Sequence, residues 1–309
     1  EGLMKMKKIV IIGCGNVGLA YLKNLCLSDM TLDISLIDID EEKLEGEILD
    51  LEHSLVYRNS NINIKLGNYS DCDNADIVVI TAGIPQSTKD RMSDLEKANE
   101  IVVDITNKLR ETSFSGIILV ACNPLDVITE LIAHYTDYSY NKVIGTGTML
   151  DTARLKSLIS KRINIKPSDI NAYVLGEHGN SQFVAWSNAN IGLENLSQYL
   201  SLDDKEELED ETRHMGGVIV KHKGYTSDGV ASCLLELTLC ILNDLKKVYP
   251  VSNYNTTYDV YISTPCVIGK KGIEKAINIK LTEEEEEKLE SSAEVISKAL
   301  EKILPKELY

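Results

Sequence analysis

Residues 13–18 read Gly13-Cys14-Gly15-Asn16-Val17-Gly18, and their setting leaves few folds open. The β-branched run Lys8-Ile9-Val10-Ile11-Ile12 before them predicts a buried strand, and residues 19–27 after them have helical spacing. At such a strand–turn–helix junction the first glycine permits a tight turn and the second lets a phosphate group approach the backbone. The third lets helix and strand pack closely. The unpaired amides of the helix start then face an anion. The pattern alone is weak, but a second apolar strand, Ile34-Ser35-Leu36-Ile37, ends in Asp38, 20 residues beyond Gly18 (38 − 18). A carboxylate there is what a dinucleotide-binding fold needs to accept the ribose hydroxyls.

The rest of the first half repeats the alternation. Residues 41–55 predict a helix, residues 62–66 and 75–80 two strands, residues 117–121 a fifth strand and residues 142–145 a sixth. Thr81-Ala82-Gly83 closes the fourth strand at the edge where doubly wound sheets take ligands. The following segment, from Ile84 to Arg91, has few strong structure formers and reads either as a plain surface loop or as a lid carrying one cation, before a helix that runs to about residue 111. Asn123 ends the fifth strand with both a donor and an acceptor, and Pro124 suits the helix start behind it. The fold class is therefore α/β, a Rossmann-type doubly wound parallel sheet over residues 1–145. A second, α+β domain follows over residues 146–309, with helices at 203–223 and 226–246, β structure over 254–279 including an arm at 273–280, and a last helix opened by Thr282. Because Asp40, Glu41 and Glu42 flank Asp38, a 2′-phosphate would be repelled, and NAD is favoured over NADP.

Charge excludes some functions. The net charge is −16, of which residues 203–211 carry −6 and residues 283–287 carry −5, both read as solvated helix faces. A chain without a basic stripe is a poor partner for nucleic acid or an anionic membrane. No apolar run is long enough to span a bilayer. Seven cysteines, an odd number without a CxxC pair, fit a reducing compartment, so a cytoplasmic protein without a metal site is expected.

Two stretches of the second half carry candidate chemistry. His178 stands between two glycines in Leu175-Gly176-Glu177-His178-Gly179-Asn180-Ser181, free of crowding Cβ atoms and able to face a ligand. A histidine in such a loop is more often an ordinary turn residue, and the rest of the chain has to decide. Asp151 and Arg154 are three residues apart on a predicted helix, so they share a face. They form either a plain intrahelical ion pair or an acid and a guanidinium turned into one cleft.

Taken together, GCGNVG, the Asp38 strand end with DEEKLEGEILDLEH, TAG, CNPLD, IGTGTMLDTAR, LGEHGNS and KGYTS resemble the NAD-dependent L-lactate and malate dehydrogenases, in family order and over nearly the whole chain from Lys7. The strings GTGTMLDTAR and GEHGNSQFVAWS look especially like the L-2-hydroxyisocaproate dehydrogenase branch. The resemblance implies that His178 exchanges a proton with the substrate's C2 oxygen, that Asp151 fixes the imidazole, that Arg91 polarises the carbonyl, and that Arg154 forks onto the carboxylate. Gln86, Asn123 and Thr226 would complete the substrate site. Gly13, Gly15, Asn16, Val17, Gly18, Asp38, Lys43, Tyr69, Thr81, Ala82, Gly83 and Asn123 would hold NAD. A homo-oligomer, dimer or homotetramer, is implied as well.

The family's malate enzymes carry a second cation where this chain has Gln86, so a 2-oxo acid with an uncharged side chain is expected. Several departures matter. Arg91 lies one residue closer to Gln86 than is usual and Leu95 one further from Arg91. Asp228 and Gly216-Gly217 stand where bulkier residues usually wall the pocket, which suggests room for branched substrates. The cation and histidine that bind an activating sugar bisphosphate in many bacterial relatives match Lys156 and Asn171, so weak or absent activation is expected. The alternatives are malate activity and a non-catalytic NAD-binding redox sensor, which would keep Asp38 but lose Arg154 or His178.

Overall fold

The structure, a computed structural model, describes residues 6–58, 61–84 and 91–304, with the side chains of residues 91–93 excepted. The first half alternates strand and helix: β1 (Lys7–Ile12), α1 (Asn16–Cys26), β2 (Thr31–Ile37), α2 (Glu41–Leu55), β3 (Asn61–Leu66), β4 (Ile77–Ile80), α3 (Arg91–Arg110), β5 (Ile117–Val120), α4 (Leu125–Thr136) and β6 (Val143–Gly145). The six strands pair in parallel in the order β3-β2-β1-β4-β5-β6. The order reverses between β1 and β4, and the crevice beyond their carboxyl ends is where such a sheet takes a ligand. Gly13 and Thr81 follow those two strands.

The inner strands β1, β4 and β5 are apolar on both faces because helices cover both, whereas edge strand β3 alternates buried Ile62 and Ile64 with exposed Asn61 and Asn63. Val10, Val78 and Ile118 belong to the core under α3, α4 and the last helix, while Ile9, Ile77 and Ile117 belong to the core on the other side. Burying such side chains contributes about 1.5–3 kcal/mol each.

The second half runs α5 (Met149–Ile163), five two-residue strands β7 (Ile170–Asn171), β8 (Val174–Leu175), β9 (Phe183–Val184), β10 (Asn190–Ile191) and β11 (Glu194–Asn195), then α6 (Leu202–Lys223), α7 (Asp228–Leu242), β12 (Lys247–Asn255), β13 (Val260–Gly269), β14 (Gly272–Ala276) and α8 (Glu283–Leu300). Here the sequence reading needs two amendments. The β region begins at Lys247, ahead of the expected residue 254, and it joins the first sheet: β12 pairs antiparallel with β6 through Ser252 and Gly145, which gives nine strands. The physical reason is that β6 would otherwise be an open edge with unpaired amides and carbonyls. Second, the acidic run at 283–287 is not wholly solvated. Glu285 is buried, closes a capping box with Thr282 and accepts from the Ser187 amide at 2.9 Å.

α7 packs against α1, where the buried Tyr21 hydroxyl meets Thr238 Oγ1 at 2.6 Å. α5, α6 and the short strands enclose a third core around Leu155, Ile159, Ile170 and Leu208. These contacts fix α5 and the β8–β9 hairpin beside the main sheet.

Candidate active site

The Gly13–Gly18 turn is built almost entirely from main chain. Gly13 has φ +91, and a Cβ there would lie 2.3 Å from the Ala82 nitrogen, so only glycine fits. Its amide donates to Ile37 O at 2.8 Å, and Thr81 Oγ1 donates to its carbonyl at 2.5 Å, which locks the TAG segment onto the turn. No side chain caps α1 at Gly15, so the amides of Asn16, Val17 and Gly18 keep their donors for an anion. Beside Gly15 the space a Cβ would take is open.

Asp38 stands at the end of β2. Its Oδ2 accepts from the Cys14 amide at 2.5 Å and its Oδ1 from the Asp40 amide at 3.1 Å, so the carboxylate is already oriented over the turn. Lys43 is exposed on the first turn of α2, and its charge is felt at Cys14. Tyr69 follows β3 in a short 3-10 helix, half-buried, with Lys108 Nζ 5.5 Å from its ring centroid. Burial foremost, with Asp104 adding to it, pushes the Tyr69 hydroxyl up to about 12. A free α-helix start with an open approach at Gly15 supplies the donors, and a strand-end carboxylate the acceptor, that a dinucleotide requires.

The catalytic candidates meet some distance along the same edge. β8 and β9 form a hairpin with Val174 opposite Val184 and Leu175 opposite Phe183, and the loop between them carries His178. Thr148 Oγ1 donates to Val174 O at 2.5 Å, and the Val174 amide donates to Thr152 Oγ1 at 3.0 Å. The hairpin is thereby pinned to the first turn of α5, which brings Asp151 under the loop.

Asp151 Oδ2 lies 2.6 Å from His178 Nδ1, and Oδ1 accepts from Arg154 at 2.9 Å. The Asp151 side chain is 2% exposed, against 24% for His178 and 12% for Arg154. Burial alone would raise the Asp151 carboxyl, but the charges and hydrogen bonds of His178 and Arg154 outweigh it and hold the group below the usual carboxylate range. Burial likewise would lower the imidazole. The Asp151 carboxylate, helped by Asp126 and opposed by Arg154, raises it instead. The Asp151–Arg154 pair is thus intrahelical, and its carboxylate also meets His178.

Arg154 has a further property. Its Nε is buried and bonds no protein acceptor, while one terminal nitrogen holds Asp151. A buried guanidinium donor without a partner is costly, and a planar carboxylate fits that fork. Gly216 of α6 lies against the guanidinium: a Cβ there would be 3.4 Å from it. Beside Gly217 nothing comes within 4 Å of the Cβ position.

The remaining candidates divide. Asn123 is exposed at the end of β5, and Thr226 is half-buried just ahead of α7. Asp228 is at the surface, where its carboxylate meets Lys223 at 2.5 Å. Gln86 and the Arg91 side chain lie outside the described residues, although Arg91 opens α3 and Leu95 behind it is buried. The sequence reading missed the residues that hold the His178 loop. The Glu177 amide donates to Ser292 Oγ of α8 at 2.6 Å, and the His178 amide donates to Asp126 Oδ2 of α4 at 2.7 Å. Nothing in the spacing of a serine 115 residues away from Glu177 announces such a contact. Asp126 was visible as the acid of CNPLD, but only its neighbours drew notice.

Comparison with known proteins gives the family. The family model for the lactate/malate dehydrogenase NAD-binding domain matches residues 7–145, and that for the alpha/beta C-terminal domain of the same family matches residues 148–307. An L-lactate dehydrogenase of Borrelia turicatae is 33% identical, with 97% of this chain and 99% of the relative covered. One from Halalkalibacterium halodurans is 36% identical, covering 95% and 96%. Among solved structures, a minor L-lactate dehydrogenase from Enterococcus mundtii superposes with a TM-score of 0.94 at 28% identity, covering 97% of this chain and 99% of that one.

Proposed function

The chain belongs to the lactate/malate dehydrogenase family, on its lactate side, as an NAD-dependent oxidoreductase of the CH–OH group. From that premise we propose that His178, Asp151 and Arg154 perform the reversible reduction of pyruvate or a larger branched 2-oxo acid to the L-2-hydroxy acid. The observation that carries the proposal is the relay Arg154–Asp151–His178, with its buried unpaired Nε, at the edge of the nucleotide-binding sheet.

Bound NADH supplies the hydride that reaches C2 of the substrate. Arg154 anchors the substrate carboxylate, with Nε and a terminal nitrogen as a fork that lysine would not reproduce. Because Nδ1 of His178 is taken by Asp151, Nε2 is the nitrogen left to protonate the C2 oxygen. Asp151 stabilises the imidazolium before transfer and keeps the ring oriented afterwards. In oxidation the neutral ring takes the proton back. Arg91 would add positive charge beside the developing oxyanion.

For the substrate, Gln86 in place of a second cation favours an uncharged side chain. Gly216 lets α6 lie against the Arg154 guanidinium without a side chain between them, in keeping with the hydroxyisocaproate branch. NADH oxidation with pyruvate, 2-oxoisocaproate, phenylpyruvate and oxaloacetate tests this. Higher kcat/KM for oxaloacetate than for any of the others would replace the proposal with malate activity. No NADH oxidation with any of the four would favour a redox sensor.

A homo-oligomer, dimer or homotetramer, is in keeping with exposed Leu49, Val56, Tyr57, Val218 and Val220 on and beside α2 and α6. A cytoplasmic setting is in keeping with seven free, buried cysteines. At the possible effector site, Lys156 lies over the Tyr173 ring at 5.7 Å and Asn171 bonds Asn190 at 3.1 Å, which supports weak activation at most. A tenfold fall in half-saturating pyruvate on adding fructose 1,6-bisphosphate would refute that.

A further inference from the structure

Three successive amides of the catalytic loop are held by three separate elements. Gly176 donates to Ser263 O of β13 at 3.1 Å, Glu177 to Ser292 Oγ of α8 at 2.6 Å, and His178 to Asp126 Oδ2 of α4 at 2.7 Å. The first two anchors are neutral and the third carries a charge. Asp126 is 2% exposed, and its Oδ1 bonds no protein donor. Nearby hydroxyls of Ser252 and Ser263, cross-strand partners in β12 and β13, are also buried and unpaired. An amide or a serine could accept the His178 N–H as well as a carboxylate can, and at far lower cost of burial. A carboxylate at this place therefore calls for a role that depends on its charge.

We propose that Asp126 is a positioning residue for the proton transfer: it fixes the main chain of His178 and, with Asp151, supplies the negative charge that favours the imidazolium. This rests on His178 being the proton donor. Among the described residues, the charged groups that act on the ring are Asp151 and Arg154 from α5 and Asp126 from α4, while Glu177 of the loop itself acts on Asp126. The contacts from β12, β13 and α8 are serines or main chain. Burial foremost, against the nearby Ser252 hydroxyl and the His178 amide that Asp126 accepts from, pushes the Asp126 carboxyl up to about 6. Its charge is therefore present at pH 7 and above and fades below about pH 6.

Asp126→Asn keeps an acceptor for the His178 amide in nearly the same shape and deletes the charge. The imidazole midpoint, read by NMR, should fall by about half a unit to one unit, a three- to tenfold loss of proton affinity. The alkaline limb of pyruvate reduction should fall with it. At pH 8 kcat should drop about three- to tenfold while KM for pyruvate, set by Arg154, stays within about twofold. Ser292→Ala, which cuts a neutral anchor of the same loop, should leave the midpoint in place. A folded Asp126→Asn protein whose midpoint stays within about 0.2 unit of wild type overturns the inference. A midpoint that falls while both kinetic limbs stay put would instead remove His178 from the chemistry, and the inference with it.

Should Asp126→Asn fail to fold, His178→Asn provides the test, because no ring titrates and the main-chain amide at 178 still donates to Asp126. That amide signal should shift with a midpoint at or above about pH 6. A midpoint above about pH 8, which would leave the carboxyl neutral where the enzyme works, overturns the proposal.

Discussion

The cofactor side and the proton-transfer side of this molecule are built in opposite ways. The turn at Gly13 works through main chain: amides, a carbonyl and the lack of a Cβ, all within one stretch of sequence and one strand-end acid. The His178 side works through side chains that come from α4, α5, α8 and a hairpin loop, separated by 27 positions for His178 and Asp151, 52 for His178 and Asp126, and 115 for Glu177 and Ser292. A site made of main chain tolerates most substitutions and is ruined by a misplaced Cβ. A relay of side chains fails when one functional group changes, even with the fold intact. The two sides should therefore respond to mutation in different observables.

The largest effect is expected at the relay. His178→Asn should lower kcat by about two to four orders of magnitude, the usual size of acid–base catalysis, while NADH affinity measured by fluorescence stays near wild type. Retained turnover would break the comparison at its centre. Next comes Arg154→Lys, which keeps the charge and loses the fork. It should raise KM for pyruvate and cut kcat/KM by about two orders of magnitude, again without a change in NADH binding. On the other side, Gly13→Ala places a Cβ 2.3 Å from the Ala82 nitrogen at φ +91. It should weaken NADH binding about tenfold or more and cost about 2 kcal/mol of stability, read as a lower Tm. If Gly13→Ala instead left NADH affinity unchanged and altered kcat alone, the division between the two sides would be wrong.

This contrast also accounts for what could be read in the chain beforehand. Strands buried on both faces announce themselves as β-branched runs, and the turn between β1 and α1 is written in consecutive letters, so the sheet and cofactor edge were legible. His178, Asp151 and Arg154 were legible as candidates because each sits in a short string with its own chemistry. Their meeting was implied only by the family resemblance and not by the spacing, since it depends on Thr148 and Thr152 pinning β8 to α5. Asp126 and Ser292 were missed for the same reason, because an acid or serine on a helix bears no mark of the amide it will hold. The joining of β12 to β6 escaped because sheet membership is decided by an edge left open over 100 residues earlier.

The smallest effect is a displacement along the pH axis, and its sign follows from the charges. Asp151 and Asp126 raise the His178 imidazole above its ordinary value against the opposing pull of burial. Reduction needs the protonated ring, so kcat/KM for pyruvate should hold at low pH and fall as pH rises through that raised value, above where an ordinary histidine titrates. Oxidation needs the neutral ring, so its rate for L-lactate should be low at acid pH and rise through the same point. The cofactor side should be silent across this window. The thiol within the turn, Cys14, is pushed up to about 12 by burial first and Asp38 second, so it stays neutral. NADH affinity should then be flat from about pH 6 to 9 while the two rates cross. A reduction limb at or below the ordinary histidine value would mean that burial outweighs the two carboxylates. An NADH affinity that tracked the same limb would mean that the two sides share a titrating group, and that the separation of main-chain cradle from side-chain relay does not hold.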